Sequence, residues 1–303
     1  MKSGHQNSHF LPLAPLAWAT MLLVSILPNI IFQEVFSLTT AWLIWFKIGL
    51  LVIFTIVSLF WQPIRPLRNY FIILLAIFFI EDIVSRVTAL SFWQNWFGAA
   101  DAAFTTSMFG TQLKRFIIAL LIILVLFLLQ YKRKDFFLVR GQVDAPVKPV
   151  RLPGFPNKDS WKPFGGQFAI YISLGTLVFL ILGGRPTPTA MIQALPMLPA
   201  ILLFASINAF YEGITYRSAL LAPLEPALGY RHALGITAIF FGIGHFYGVP
   251  YGIIGVIMSS FLGWFLGKAM LETRGFFWAW FIHFLQDVLI FSFMAIGSIV
   301  PGG

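Results

Sequence analysis

The sequence predicts an all-α protein, a polytopic transmembrane helix bundle with about eight or nine spanning helices. Composition is the first indication, because 59% of the 303 residues are hydrophobic and only 10% are charged. Soluble domains are about half apolar and about a quarter charged. Length is the second indication, since apolar stretches long enough to cross a bilayer recur along the chain. The placement of Lys and Arg between these stretches is the third.

Nine apolar stretches are candidates for spanning helices. They cover approximately residues 12–32, 39–60, 70–90, 115–131, 166–184, 199–222, 233–249, 251–267 and 276–299. An alternative with eight spans stays open, in which one stretch lies in the membrane interface. The first stretch is expected to be a retained helix, because no small-residue cleavage site follows it.

Basic residues predict the orientation in the membrane. They fall mainly on one side if the N-terminus is cytoplasmic and nine helices follow. We therefore expect a multi-pass protein of the cell membrane, with its N-terminus in the cytoplasm and its C-terminus outside. The formal charge of +9 does not indicate nucleic acid, because the basic residues follow this membrane pattern. The absence of cysteine excludes disulfides and thiolate chemistry.

A stretch rich in Pro, Gly and Lys, residues 138–165, divides the chain. Its composition predicts a basic cytoplasmic linker that builds no core. The linker separates an N-terminal four-helix membrane module, residues 1–137, from a C-terminal module, residues 166–303. Nearly all the polar chemistry lies in the C-terminal module.

Ionisable side chains inside three apolar stretches of the C-terminal module form the candidate site. A charge at mid-bilayer costs about 2.5–3.5 kcal/mol on insertion scales, so it indicates a functional site or a buried ion pair. The three segments are "YEGITYR" with Glu212 and Arg217, "FFGIGHFYG" with Phe241 and His245, and "FIHFLQDV" with His283 and Asp287.

Helical spacing places these residues on shared faces. Residues four apart are neighbours on a helix, so Phe241 lies beside His245, and His283 lies beside Asp287. If the helix of Glu212 continues to about Ala222 and stops at Pro223, Glu212 lies roughly 15 Å deep, similar to the other groups. Packing of the three helices would then bring two carboxyl groups and two imidazoles into one cavity.

These three motifs resemble the signature of the type II CAAX prenyl endopeptidase and bacteriocin-processing-protein family of intramembrane proteases, also called CPBP or abortive-infection proteins. That signature reads Glu-Glu-x-x-x-Arg, then Phe-x-x-x-His, then His-x-x-x-Asn or Asp. The matching segments are "EGITYR", "FGIGH" and "HFLQD". The resemblance covers about residues 166–299. It implies that the C-terminal module is a protease that hydrolyses a peptide bond of a membrane-associated protein or peptide.

Residue roles follow from the resemblance. Glu212 with His245 would hold and activate a water, and His283 with Asp287 would stabilise the oxyanion. Arg217 and Phe241 would support the site. No cofactor is expected, and Zn²⁺ bound by the four catalytic side chains is the less favoured alternative. The expected partners are the lipid bilayer and the membrane-associated substrate, without nucleic acid.

One departure from the signature concerns its second glutamate, which is Gly213 here. Either the first glutamate suffices, another acid substitutes, or catalysis is weakened or lost. Gly213 therefore keeps open a non-catalytic membrane adaptor or immunity protein on the same scaffold. A third alternative is a small transporter that uses the buried acids for proton coupling, although no repeat or broken helix pair favours it.

Structural roles stay open for each motif. Glu212 with Arg217 would be a polar contact within the bundle, His245 a packed histidine bonded to a carbonyl, and His283 with Asp287 an interhelical hydrogen bond.

A similar segment occurs earlier, in "FFIEDIVSRV", with Glu81, Asp82 and Arg86. The favoured interpretation is a helical Asp82–Arg86 ion pair, with Lys47 as a neighbour to consider. An internal duplication, or a carboxylate donated to the main site, are the alternatives.

Overall fold

The computed structural model describes residues 13–99, 101–149 and 160–299. Regular structure in these ranges is helical, without a β-strand and with one isolated bridge between Pro146 and Ser160. The prediction of an all-α protein is confirmed.

Thirteen α-helices lie in the described ranges. In chain order they are α1 Leu13–Val24, α2 Leu27–Ile30, α3 Leu43–Phe60, α4 Arg68–Thr88, α5 Ser91–Phe97, α6 Phe104–Leu128, α7 Trp161–Gly184, α8 Pro188–Ala194, α9 Leu198–Gly213, α10 Ala219–Leu228, α11 Tyr230–Ile243, α12 Ile253–Thr273 and α13 Phe277–Ile299. π-Helical turns at Ile31–Val35 and Ile214–Ser218 follow α2 and α9, and 3₁₀ turns at Gln62–Leu67 and Leu195–Met197 precede α4 and α9.

Six stretches of the described chain are long and apolar enough to span a membrane. They are Leu43–Phe60, Phe104–Leu128, Trp161–Gly184, Pro188–Leu228, Ile253–Thr273 and Phe277–Ile299. A seventh arises if α1 and the bent segment Leu27–Val35 count as one span. Leu182 and Ile253 each remain 70% exposed, which suits contact with lipid. The predicted eight or nine spans are not confirmed.

Two of the predicted spans are not among these stretches, each for a physical reason. Helix α4 contains Arg68, Glu81, Asp82 and Arg86, and this charge lowers its suitability as a span. Helix α11 has 14 residues and ends at Ile243, before a segment rich in Gly and Pro. At about 1.5 Å per residue it is shorter than a hydrocarbon core of about 30 Å.

Helix α6 also differs from its predicted bounds, because it begins at Phe104 rather than near residue 115. Arg115, the first residue of the predicted span, therefore lies well inside the helix. The orientation of the termini stays a prediction, and residues 1–12 and 300–303 lie outside the described residues.

Two compact units make up the chain. The first holds the described residues up to Leu75 together with Leu220–Trp264, and the second holds Ala76–Ala219 together with the residues from Phe265 onwards. The predicted modules 1–137 and 166–303 stay a prediction.

In the second unit, α9 packs against α6 and α13, and α13 also packs against α7 and α8. Apolar side chains from these helices form a buried cluster, which includes Met108, Ile201, Phe204, Ala205, Phe291 and Ala295. Because α9 carries Glu212 and α13 carries His283 and Asp287, this packing positions the predicted acids.

Two parts of the predicted linker are described: residues 138–149 are packed within the second unit, and residues 161–165 form the start of α7 rather than linker. Gln142 N donates to Thr273 O at 2.7 Å, Phe276 N donates to Val139 O at 2.8 Å, and Trp278 Nε1 donates to Val143 O at 2.8 Å. The expectation of a stretch without a core is therefore wrong for these residues. Composition did not reveal it, because the partners lie more than a hundred positions away. Residues 150–159 lie outside the described residues.

A buried ion pair lies beside this segment. Lys268 pairs with Glu272 one turn later on α12. Glu272 Oε2 also accepts hydrogen bonds from Trp161 Nε1 at 2.9 Å and from Lys148 N at 3.1 Å. Lys268 Nζ donates to Lys148 O at 2.8 Å. These contacts join α12, the start of α7 and the segment before it.

In the first unit, polar side chains form contacts between different helices. Tyr70 donates to Ala17 O at 3.2 Å, and Trp18 Nε1 donates to His232 Nδ1 at 3.3 Å. Lys47 donates to Asn29 at 2.5 Å.

Candidate functional site

Glu212 lies near the end of α9, two residues before the start of the π-helical turn Ile214–Ser218. π-Helical turns insert a residue into a helix and occur frequently at functional sites. The helical path continues through α10 to Leu228, with Pro223 and Pro226 inside it. The predicted stop at Pro223 is therefore wrong, because a proline removes one backbone hydrogen bond without always ending a helix. Glu212 is buried, with 8% exposure.

The second acid and one imidazole come from α13. His283 and Asp287 are both buried, at 4% exposure each. His283 Nε2 lies 3.4 Å from Glu212 Oε2 and 3.7 Å from Asp287 Oδ1. The structure thus brings together three of the four predicted catalytic side chains, with one imidazole nitrogen between two carboxyl groups.

Asn208 joins the same cluster, and the sequence interpretation did not include it. Its Nδ2 lies 3.3 Å from Glu212 Oε1 and 3.0 Å from Asp287 Oδ2. Asn208 precedes Glu212 by four residues, which is the spacing that places two side chains on one helical face. An amide in an otherwise apolar stretch at that spacing was the signal that could have identified it.

Arg217, predicted to support the site, lies in the π-helical turn and is 1% exposed. Gly213, which stands where the signature has its second glutamate, has a packing explanation. A Cβ atom added to Gly213 would lie 2.6 Å from Cζ of Phe276. The ring of Phe276 occupies the space that a larger side chain would need.

The fourth predicted catalytic residue, His245, lies in the first unit with Phe241. Helix α11 ends at Ile243, so His245 follows the helix rather than lying within it. The two rings still contact, with centroids 4.4 Å apart. His245 Nδ1 lies 2.8 Å from the carbonyl oxygen of Phe241. A carbonyl only accepts, so in the neutral ring this contact places the hydrogen on Nδ1 and the lone pair on Nε2. The approach of His245 to Glu212 stays a prediction.

The earlier acidic segment has two separate arrangements. Asp82 pairs with Arg86 at 2.7 Å on the exposed face of α4, as predicted. Glu81 instead accepts a hydrogen bond from the hydroxyl of Tyr211, at 3.2 Å. Tyr211 directly precedes Glu212, so Glu81 lies one side chain away from the acid cluster.

Metal binding has no assembled ligand set among the described residues. No group of three or more His, Cys, Asp or Glu side chains in those ranges is arranged to hold a metal ion. Imidazole and carboxylate are ligands that Zn²⁺ accepts, so zinc stays an alternative that requires a direct test.

Comparison with known proteins gives one match. The family model described as Type II CAAX prenyl endopeptidase Rce1-like matches residues 193–289. This segment contains all four predicted catalytic residues, and the match confirms the resemblance that the motifs indicated. The family is generally proteolytic. Searches of curated proteins and of solved structures found no match. With its apolar helices, the chain is a multi-pass membrane protein in which residues 193–289 match the CAAX-protease family model.

Proposed function

We propose that this protein is an intramembrane endopeptidase that hydrolyses a peptide bond of a membrane-associated protein or peptide. The observation that carries the proposal is the buried cluster of Glu212, His283 and Asp287 on two packed helices. Buried acids in a membrane helix are expensive to insert and mark functional sites by default. The family match over residues 193–289 supports the same reaction class.

The first step is the activation of water. Glu212 and His245 hold the water, and the lone pair on Nε2 of His245 accepts one of its hydrogens. As the water oxygen attacks the substrate carbonyl carbon, its proton passes to Glu212, which acts as a general base. The carbonyl C=O bond becomes a single bond, and the negative charge develops on its oxygen.

The second step requires a donor for that oxyanion. His283 Nε2 is the nitrogen that faces the acid cluster, so a hydrogen on it can be donated to a developing negative charge nearby. Asp287, 3.7 Å from this nitrogen, orients the ring. When the tetrahedral intermediate collapses, the C–N bond breaks and Glu212 returns its proton to the leaving nitrogen. The products are a free carboxyl group and a free amine.

The setting of this reaction belongs to the same proposal. The site lies within a multi-pass protein of the cell membrane, with a cytoplasmic N-terminus and the bilayer around the helices. Because the matched family is named for CAAX prenyl endopeptidases, a prenylated peptide that ends in a CAAX sequence is the first substrate class to test.

Reconstitution in proteoliposomes tests the proposal. The probes are a quenched fluorescent prenylated CAAX peptide and its unprenylated form. We expect Glu212→Gln and His283→Ala each to lower the cleavage rate by about 10²-fold or more, because each removes a group that acts on the reacting atoms. Asp82→Asn is the matched control, since it makes the same acid-to-amide change in an exposed ion pair. Equal activity in wild type and Glu212→Gln would contradict the mechanism.

A second candidate function is a non-catalytic membrane adaptor or immunity protein. The Phe276 ring against Gly213 favours it, because the place of the second motif glutamate is filled by an apolar group. This alternative predicts that Glu212→Gln leaves the cellular phenotype of the protein unchanged. Loss of that phenotype in a folded Glu212→Gln variant would favour the enzyme.

A further inference from the structure

We infer that Asn208 and Arg115 are positioning residues that hold the two carboxyl groups of the site in one arrangement, an inference that rests on the proposed function. Neither residue belongs to the three sequence motifs. Asn208 lies on α9, and Arg115 lies on α6.

Asn208 connects the acid of one helix with the acid of another. Its Nδ2 is 3.3 Å from Glu212 Oε1 and 3.0 Å from Asp287 Oδ2. The side chain is 3% exposed, so water offers little competition for these bonds. An amide nitrogen carries two hydrogens, and both are directed at carboxyl oxygens here. Asn208 therefore fixes the spacing between Glu212 and Asp287.

Arg115 decides which end of the amide faces the acids. Its Nη1 donates a hydrogen bond to Oδ1 of Asn208. A guanidinium has five donors and no acceptor, so it can pair only with the oxygen of the amide. A reversed amide would direct its oxygen at the two carboxyl groups and its NH₂ group at the guanidinium. Arg115 thus keeps both hydrogens of Asn208 on the acids.

The position of Arg115 agrees with a dedicated role. It lies eleven residues after the start of α6 at Phe104, which is about 16 Å along the helix. The guanidinium carbon lies 5.7 Å from the ring centroid of Tyr211, a contact that holds the cation over an aromatic face. An arginine so far inside an apolar helix is unfavourable without a specific partner. Arg115 hydrogen-bonds Asn208 rather than the reacting atoms, which makes it a positioning residue rather than a catalytic one.

Cleavage kinetics give the first test. We expect Asn208→Ala and Arg115→Met each to lower kcat about tenfold to hundredfold, because misplacement by about 1 Å costs rates of this order. KM for the prenylated probe peptide should stay within about twofold of the wild-type value, because the contacts that bind the ground state and the transition state equally are retained. Arg115→Lys should recover most of kcat, because an ammonium group also only donates. The double variant Arg115→Met/Asn208→Ala should be no slower than Asn208→Ala alone. If the loss of kcat in the double variant equalled the product of the two single losses, the inference would be overturned. An Arg115→Lys variant as slow as Arg115→Met would also overturn it.

Infrared spectroscopy of the carboxyl groups gives a test that needs no cleavage. Bands of the two acids are assigned by their loss in Glu212→Gln and in Asp287→Asn. We expect Arg115→Met to shift the same bands as Asn208→Ala, and Arg115→Lys to leave them in place. Arg115→Gln is the variant to use if Arg115→Met does not fold, because its amide no longer forces one orientation of Asn208 and should give the same shift.

These two measurements separate the inference from the function on which it rests. If the carboxyl bands respond as described but the wild-type protein cleaves neither probe peptide, the proposed function is contradicted and the positioning role is supported. Unchanged bands and normal kcat in Arg115→Met would refute the positioning while the protease function stands.

Discussion

Gly213 offers a sharp test of the packing at the site. In Gly213→Ala the new Cβ would lie 2.6 Å from Cζ of Phe276. Carbon atoms in contact are normally about 3.5–4.0 Å apart, so the ring or the helix must move by about 1 Å. Overpacking of this kind costs about 1–3 kcal/mol.

Gly175→Ala is the matched control, because Gly175 also lies in a helix of the second unit and a Cβ there meets nothing within 4 Å. Removing a helical glycine favours the helix by about 0.5–1 kcal/mol at each position. The two variants should therefore differ in unfolding free energy by about 1–3 kcal/mol, the overpacking term alone.

Thermal unfolding in detergent micelles measures this difference. We expect Gly213→Ala to melt at least about 2–4 °C below Gly175→Ala, given the usual temperature shift per kcal/mol in chains of this size. In a Phe276→Ala background the penalty at Gly213 should disappear, because contacting residues are not additive. A Gly213→Ala variant with a melting temperature as high as that of Gly175→Ala would refute the packing of the Phe276 ring against Gly213.

Three further predictions concern other parts of the molecule. Glu272→Ala should lower the unfolding free energy by about 3–5 kcal/mol in chemical or thermal unfolding, because it removes the carboxylate that pairs with the buried Lys268 ammonium. The double variant Lys268→Met/Glu272→Met should lose much less, and equal losses would contradict a buried pair. Arg86→Ala should leave the melting temperature unchanged within error, since the Asp82–Arg86 pair is exposed; a clear drop would contradict this. Peptide cleavage should persist after treatment with a metal chelator, and activity that is lost and then restored by zinc would favour the metal alternative.

The acid cluster could be predicted in large part from spacing. The four-residue interval from His283 to Asp287 placed both on one face, and α13 does present both beside Glu212. Asn208 has the same interval to Glu212, but an isolated amide carries no charge that marks it in an apolar sequence. Arg115 could not be predicted as its partner, because the contact joins residues 93 positions apart.

Helix ends were harder to predict than helix faces. Pro223 and Pro226 lie inside α10, since each proline removes one backbone hydrogen bond without always ending a helix. Helix α6 begins at Phe104 because the weakly polar residues before Lys114 are tolerated in a helix. His245 lies beyond the end of α11, where Gly244 and the residues up to Pro250 interrupt the helix.

Whether His245 completes the cluster is the most direct question about the mechanism, and thiol crosslinking answers it. The chain has no cysteine of its own, so paired cysteines introduced at 212 and 245 report on that pair alone. A pair at 212 and 283 is the positive control, because those side chains lie 3.4 Å apart. The account predicts that a short bifunctional thiol reagent joins both pairs in membranes at similar rates. Crosslinking of the 212–283 pair without any crosslinking of the 212–245 pair would contradict the water-activating role of His245.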